Sequence, residues 1–129
     1  MILLDTPVLV WSQWKPSKLS RPAAAAIRRA WSSRSLAVSA ITLVELAILI
    51  VRGRIRTSYT VAETIRQLLE GVVVLPLTEH VAIETGYIAL DMLPDPMHRV
   101  IAATARAEGI PLITADQRMQ KCSLLKTIW

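Results

Sequence analysis

The sequence predicts an α/β domain built on a largely parallel sheet, and three observations carry that prediction. Short β-rich apolar runs alternate with longer segments of helical periodicity, as in strand-helix-strand crossovers. Helix start and stop signals punctuate the segments between those runs. Asp5 and Asp116 stand at the carboxyl ends of two runs, where open α/β sheets build their sites.

The elements follow in order. Ile2 to Leu4 reads as a buried first strand, and Leu36 to Ser39 and Val72 to Leu75 as two more. Pro111 to Thr114 and Lys126 to Ile128 complete a four- or five-stranded sheet. Ser20 caps a helix through Trp31, with Pro22 near its start. Thr42 opens, or lies in the first turn of, a helix that carries Glu45 and stops near Gly53. Ser58 or Thr60 starts a helix ending at Gly71, and Thr78 precedes one reaching about Leu90. Asp95 and Pro96 form a cap and a first helical position for a helix through Ala107 that ends at Gly109. The chain of 129 residues has the length of one domain and no linker, so residues 1–129 are expected to form a single unit.

Composition narrows the function classes. An apolar fraction of 53% with 19% charged residues excludes a disordered chain. The longest apolar stretch, Leu36 to Val51, is shorter than the roughly 20 residues a spanning helix needs, and Ser39, Thr42 and Glu45 interrupt it. No membrane span is predicted. The N-terminus lacks a basic segment and carries Asp5 where a secretory signal is apolar, so the chain reads as untargeted. A lone cysteine, Cys122, fits a reducing cytoplasm. Charge is uneven: the first 56 residues carry nine basic and two acidic side chains, the remainder six and eight. An electropositive half beside buried acids suits a polyanionic substrate, although each Arg taken singly also reads as part of a solvated helix face.

Three acids carry the chemistry. Asp5 directly follows an apolar strand, Glu45 stands in Leu43 to Ile50, and Asp116 follows Ile110 to Ala115. An ionised carboxylate buried without a partner costs several kcal/mol or takes up a proton, so three such placements suggest a shared cation or a shared job. If the sheet forms, they converge on one edge, where a few carboxylates suffice for Mg²⁺ or Mn²⁺ and the ion can polarise a phosphodiester. Thr6 and Thr114 flank two of the acids and can orient them by hydrogen bonds. Each acid also has a plainer reading: Asp5 as cap of a short helix after Thr6 and Pro7, Asp116 as cap of one near Gln117, Glu45 as partner of an Arg such as Arg99.

The segments Met1 to Thr6, Ser39 to Ala47, Asp95 to Ala105 and Leu112 to Asp116 resemble, in order, the four motifs of PIN-domain ribonucleases. They are most similar to the VapC-type toxins of bacterial toxin–antitoxin pairs. The resemblance implies a Rossmann-like α/β/α sandwich and a Mg²⁺ or Mn²⁺ site built from Asp5, Glu45 and Asp116. It also implies RNA cleavage leaving a 3′-hydroxyl and a 5′-phosphate, a homodimer, and an antitoxin partner. On this reading Thr6, Ser39 and Thr114 tune the site, while Arg99, Arg28, Arg29, Lys15 and Lys18 hold the RNA backbone.

One position departs from the pattern. Family members read Asp-Pro-x-Asp-Arg in the third motif, and the second Asp serves the metal site; here that position is His98. An imidazole can bind metal, favouring Mn²⁺ or Zn²⁺ over Mg²⁺, or as a cation pair with Asp5 or Asp116 and weaken metal binding. It can also be a lesion that silences the nuclease. Weakened metal chemistry ranks ahead of a working ligand at this point, and the alternative function is a catalytically impaired module that binds RNA or an antitoxin without cutting. Asp95 is assigned to its cap and His80 to the surface. Trp11, Trp14 and Trp31 can stack bases, with core or interface packing the commoner fate. A phosphotransfer receiver on a similar sheet fits poorly, because Asp5 has no second acid beside it.

Overall fold

The computed structural model describes residues 1–129, and its frame is a five-stranded parallel sheet. The strands are β1 (Ile2–Leu4), β2 (Leu36–Ser39), β3 (Val73–Leu75), β4 (Leu112–Ile113) and β5 (Thr127–Ile128), in the spatial order β3-β2-β1-β4-β5. Register pairs Leu3 with Ala37 on one side and with Leu112 on the other. The chain winds outward from β1 to β3, then returns to place β4 on the opposite side of β1. Between β1 and β4 the winding reverses, and such a switch point opens a crevice at the strand ends.

Alternation along each strand divides two apolar layers. Leu4, Leu36, Val38 and Ile113 face one cluster, while Leu3, Ala37 and Leu112 face the other. The first layer takes its helical side from α1 (Thr6–Trp14), α2 (Arg21–Ser32), α3 (Ile41–Val51) and α4 (Val61–Leu68). The second takes it from α5 (Glu79–Tyr87), α6 (Pro96–Glu108) and α7 (Gln117–Lys121). The result is the α/β/α sandwich expected from the sequence. Leu3, Leu4 and Leu112 have no exposed surface, and burying each stabilises the fold by about 2 kcal/mol.

Local chemistry explains the helix starts. Ser20 accepts from the Ala23 amide at 3.2 Å, Thr78 accepts from Val81, and Thr60 with Glu63 closes a reciprocal capping box. Gly109 ends α6 in the left-handed conformation. Ala23, Ala26 and Ala30 let α2 lie close on the sheet. The expectation of three buried strands fails at β3, where Val73 is 39% and Val74 36% exposed. As the edge strand, β3 has a neighbour on one side only. α5 stops at Tyr87, short of Leu90, and a nine-residue α1 follows Asp5. No helix is long and apolar enough to cross a membrane.

Candidate active site

Asp5 leaves β1 at the switch point and is 2% exposed. Its backbone amide donates to the Ile113 carbonyl at 3.0 Å, which extends the β1–β4 pairing to the strand end. Its Oδ1 accepts from the Thr6 amide at 2.9 Å, capping α1, and its Oδ2 accepts from the Thr114 hydroxyl at 2.7 Å. Burial pushes the Asp5 carboxyl above the usual 3.8. The Thr114 hydrogen bond and the charge of His98 oppose that shift, and Glu45 adds to it.

Asp116 stands two residues beyond Thr114, and its amide donates to the Thr114 hydroxyl oxygen at 3.0 Å. One hydroxyl therefore ties two acids together. The Oδ1 of Asp116 caps α7 through the Met119 amide at 2.9 Å, leaving Oδ2 at 3.9 Å from His98 Nδ1. His98 lies in the first turn of α6, with its Nε2 3.8 Å from Asp95 Oδ2. Asp95 caps α6 with its Oδ1, at 2.9 Å from the Met97 amide. The caps expected of Asp5 and Asp116 thus form through Oδ1 alone, while Oδ2 accepts from Thr114 in Asp5 and faces His98 in Asp116.

Glu45 comes from α3, and its Oε1 is buried without a hydrogen-bond partner. The suggested pairing with Arg99 does not form. Arg99 Nη1 instead donates to the carbonyls of Leu93 and Pro94 at 2.8 and 2.9 Å, so the guanidinium holds the turn before α6. As the side chains stand, no three His, Cys, Asp or Glu groups are gathered closely enough to enclose an ion.

The hydroxyls divide differently from the sequence expectation. Thr114 bonds Asp5 directly, whereas Thr6 pairs with Thr42 at 3.0 Å and ties α1 to α3. Ser39, at the end of β2, meets Thr104 of α6 at 2.9 Å and receives the Ile41 amide at 3.4 Å. Sequence does not single out Thr42 and Thr104 for the site, and their partners lie 36 and 65 positions away. Their setting within apolar helices is the one signal that marks them.

Lys15 and Lys18 line a cavity of about 460 Å³ with Trp11, Trp14, Arg54 and Arg56. The Lys18 ammonium sits 5.5 Å from the Trp11 ring centre, and Trp11 packs against Trp129 with ring centres 6.0 Å apart. Trp11 is therefore partly a packing residue, while Trp14 and Trp31 are 38% and 50% exposed. Arg28 and Arg29 are exposed on α2. His80 is a surface residue of α5, 3.7 Å from Glu84.

Residues 2–123 match the family model described as the PIN domain. The chain is 36% identical over 119 residues to Ribonuclease VapC22 of Mycobacterium tuberculosis, covering 92% of this chain and 89% of that protein. Among solved structures, VapBC2 from Rickettsia felis bound to a DNA fragment from their promoter is similar with a TM-score of 0.75 at 16% identity, covering 98% of this chain and 97% of that one. A toxin–antitoxin complex from Klebsiella pneumoniae gives 0.67 at 19%, covering 97% and 95%. At those identities the structural likeness speaks for the fold.

Proposed function

The chain belongs to the PIN-domain family, and on that premise we propose that it is a metal-dependent endoribonuclease, the toxin of a toxin–antitoxin pair. The observation that carries the reading is that the Thr114 hydroxyl links Asp5 to Asp116 at the switch point, with His98 3.9 Å from Asp116 and a buried, unsatisfied Glu45 oxygen. A carboxylate oxygen without a donor and a buried aspartate held above its usual range are both groups that a divalent cation would satisfy. The donor set is hard oxygen with one imidazole, which suits Mn²⁺ or Mg²⁺. Such sites keep several waters, so a looser arrangement of side chains serves.

Asp5, Glu45 and Asp116 would hold the ion, with His98 beside them. When bound, the cation supplies Lewis-acid activation of a water and neutralises charge at phosphorus. Thr114 fixes the orientation of Asp5 and the approach of Asp116, and the Thr6–Thr42 pair holds the α1 and α3 starts together. Hydrolysis that breaks the P–O3′ bond leaves a 3′-hydroxyl and a 5′-phosphate. Lys15, Lys18, Arg28 and Arg29 hold the RNA backbone, joined by Arg54 and Arg56 and by Arg99, whose Nη1 also holds the turn before α6.

A toxin–antitoxin complex among the structural neighbours supports an antitoxin partner, and an RNA substrate supports work in the cytoplasm. Val44, 48% exposed, and Val51, 73% exposed, stand seven residues apart on α3, and this outward apolar stripe supports a homodimer. Residues 1–129 act as one unit on this reading.

The test compares RNA cleavage by the partner-free protein, His98→Asp and Asp5→Ala under Mn²⁺ and Mg²⁺. Cleavage by the parent and loss in Asp5→Ala are expected. No cleavage above the Asp5→Ala level sinks the active-nuclease reading, and activity restored only by His98→Asp identifies an impaired module.

A further inference from the structure

We infer that Trp31 is the centre of a second contact for single-stranded RNA, remote from the acids, where a base stacks on the indole while Arg28 and Arg34 hold the flanking phosphates. This rests on RNA being the substrate and concerns where the strand runs beyond the cleavage edge. Trp31 lies half-exposed in the last turn of α2, and two cavities of about 840 and 340 Å³ share it with Gln13 and Val72. Arg34 and Glu70 line the larger cavity, and Arg28 lines the smaller. Gly71 seats the indole, since a Cβ there would lie 2.6 Å from Trp31 Cη2. Trp31 and Arg34 precede β2 and Gly71 precedes β3, so the cavities lie at the amino ends of the strands, whereas Asp5 and Asp116 follow β1 and β4. α1 joins the two edges: Gln13 stands about 10 Å along that helix from Thr6.

Backbone conformation singles out Arg34. α2, α3 and α6 end in the same pair of hydrogen bonds: the Arg34 amide donates to Trp31 and Ser35 to Ala30, Gly53 to Ile50 and Arg54 to Leu49, Gly109 to Arg106 and Ile110 to Ala105. The residue that turns left-handed is glycine in two of these caps and Arg34, at φ 53°, in the third. No other non-glycine residue of the chain has a positive φ. A side chain in that conformation costs stability that glycine would not. No contact within the protein offsets the cost, because neither Arg34 nor Arg28 makes an ion pair, and arginine side-chain hydrogen bonds belong to Arg99 and Arg106 alone. Two free guanidinium groups beside an exposed indole suit the phosphate-and-base repeat of a single strand. Glu70 opposes an acidic peptide at this place, whereas a base offers N–H groups to its carboxylate and a polar edge to the Gln13 amide.

The experiment measures binding of a single-stranded RNA of about 12 nucleotides to the full chain by fluorescence anisotropy, without divalent metal so that no cleavage intervenes. Trp31→Ala weakens binding about 5-fold or more, while Trp31→Phe keeps most of the affinity. Arg28→Gln combined with Arg34→Gln flattens the salt dependence by about 0.7 log units for each phosphate released. Arg34→Gly adds a readout that a structural arginine would not give: RNA affinity falls while the Tm rises by about 3 °C, because glycine removes the left-handed strain. Circular dichroism confirms that each variant is folded. A Tm that falls in Arg34→Gly, or an RNA affinity unmoved by both Trp31→Ala and Arg34→Gly, overturns the inference, and Asp5-dependent cleavage by the parent then leaves the nuclease reading intact. Unmoved RNA affinity with a changed sedimentation mass overturns it in favour of contact between protein chains. A parent that neither binds nor cuts RNA overturns it together with the nuclease reading.

Discussion

Replacing Thr114 by valine removes one hydroxyl that serves two acids at once. The side chain has no exposed surface, and valine copies its shape, so the change is polar and creates almost no cavity. Asp5 Oδ2 loses a 2.7 Å donor, while the Asp116 amide loses its acceptor at 3.0 Å. A hydrogen bond to a charged, 2% exposed carboxylate is worth about 1.5–3 kcal/mol, and a half-buried amide adds about 0.5–1.5. The expected cost is therefore about 2–4.5 kcal/mol where Asp5 is ionised. Urea denaturation followed by the fluorescence of the four tryptophans measures it, with an unchanged denaturant slope showing that the unfolded state is comparable. Thr114→Ser keeps the hydroxyl and should recover most of the loss. The pH dependence adds a second check. Thr114 is the strongest influence holding the Asp5 carboxyl down against burial, and it acts on the ionised form. The deficit must therefore be smallest where Asp5 is protonated and grow as pH rises through its raised pKa. A cost below about 0.5 kcal/mol, or a deficit that shrinks as pH rises, refutes the reasoning.

Asp5 itself gives a related prediction. Its folded-state pKa lies above 3.8, so its contribution to stability is fully present below that value and is lost as pH rises through the raised one. Relative to Asp5→Asn, the metal-free protein should lose stability with rising pH in thermal melts, and a difference that moves the other way refutes the assignment. Gly71 has φ +73° and would place a Cβ 2.6 Å from the Trp31 ring, whereas Gly53, also at φ +73°, has nothing within 4 Å. Gly71→Ala should therefore lower the Tm more than Gly53→Ala and shift the tryptophan emission, with left-handed strain alone costing about 1–2 kcal/mol in each. Equal losses would rule out a clash with the ring. Converting Lys15 and Lys18 to Glu should flatten the dependence of single-stranded RNA affinity on salt by about 0.7 log units for each phosphate no longer neutralised. An unaltered slope in a filter-binding titration assigns the RNA path elsewhere.

Legibility tracks the range of the interaction. Ser20, Thr60, Thr78 and Asp95 cap the helices expected of them because a cap joins residues two or three apart. β3 reads as buried from Val72 to Leu75, and only the strand order makes it an edge. The acids of the site are visible as charges inside apolar runs, and His98 as a break in a motif. Their hydroxyl companions are less visible: Thr114 stands out because it adjoins Asp116, whereas Thr42 and Thr104 meet partners brought together only by the sandwich. Arg99 misleads for the opposite reason, since a long side chain reaches back six residues to backbone carbonyls. Capping and site chemistry look like rivals because sequence assigns roles to residues, whereas each of these caps occupies only one oxygen of its carboxylate.

That division of oxygens has an energetic consequence. Asp5, Asp95 and Asp116 each give Oδ1 to a helix N-terminus, so α1, α6 and α7 all begin at the same edge as the site. Their amides fix the carboxylates, and at Asp5 the Thr6 amide of α1 favours the ionised form. Asp5 nevertheless sits above its usual pKa, so Thr114, His98 and the Thr6 amide offset burial only in part. On the proposed reading a cation bound beside Asp5 would offset the rest, and by mass action would stabilise the fold by about 2.7 kcal/mol at 100 times its Kd. Replacing an aspartate by asparagine keeps a capping oxygen and withdraws the charge, whereas alanine removes both. On the proposed reading the Asn variants separate the two roles: they lose the metal-linked gain in Tm while keeping the helix starts, and the Ala variants lose both.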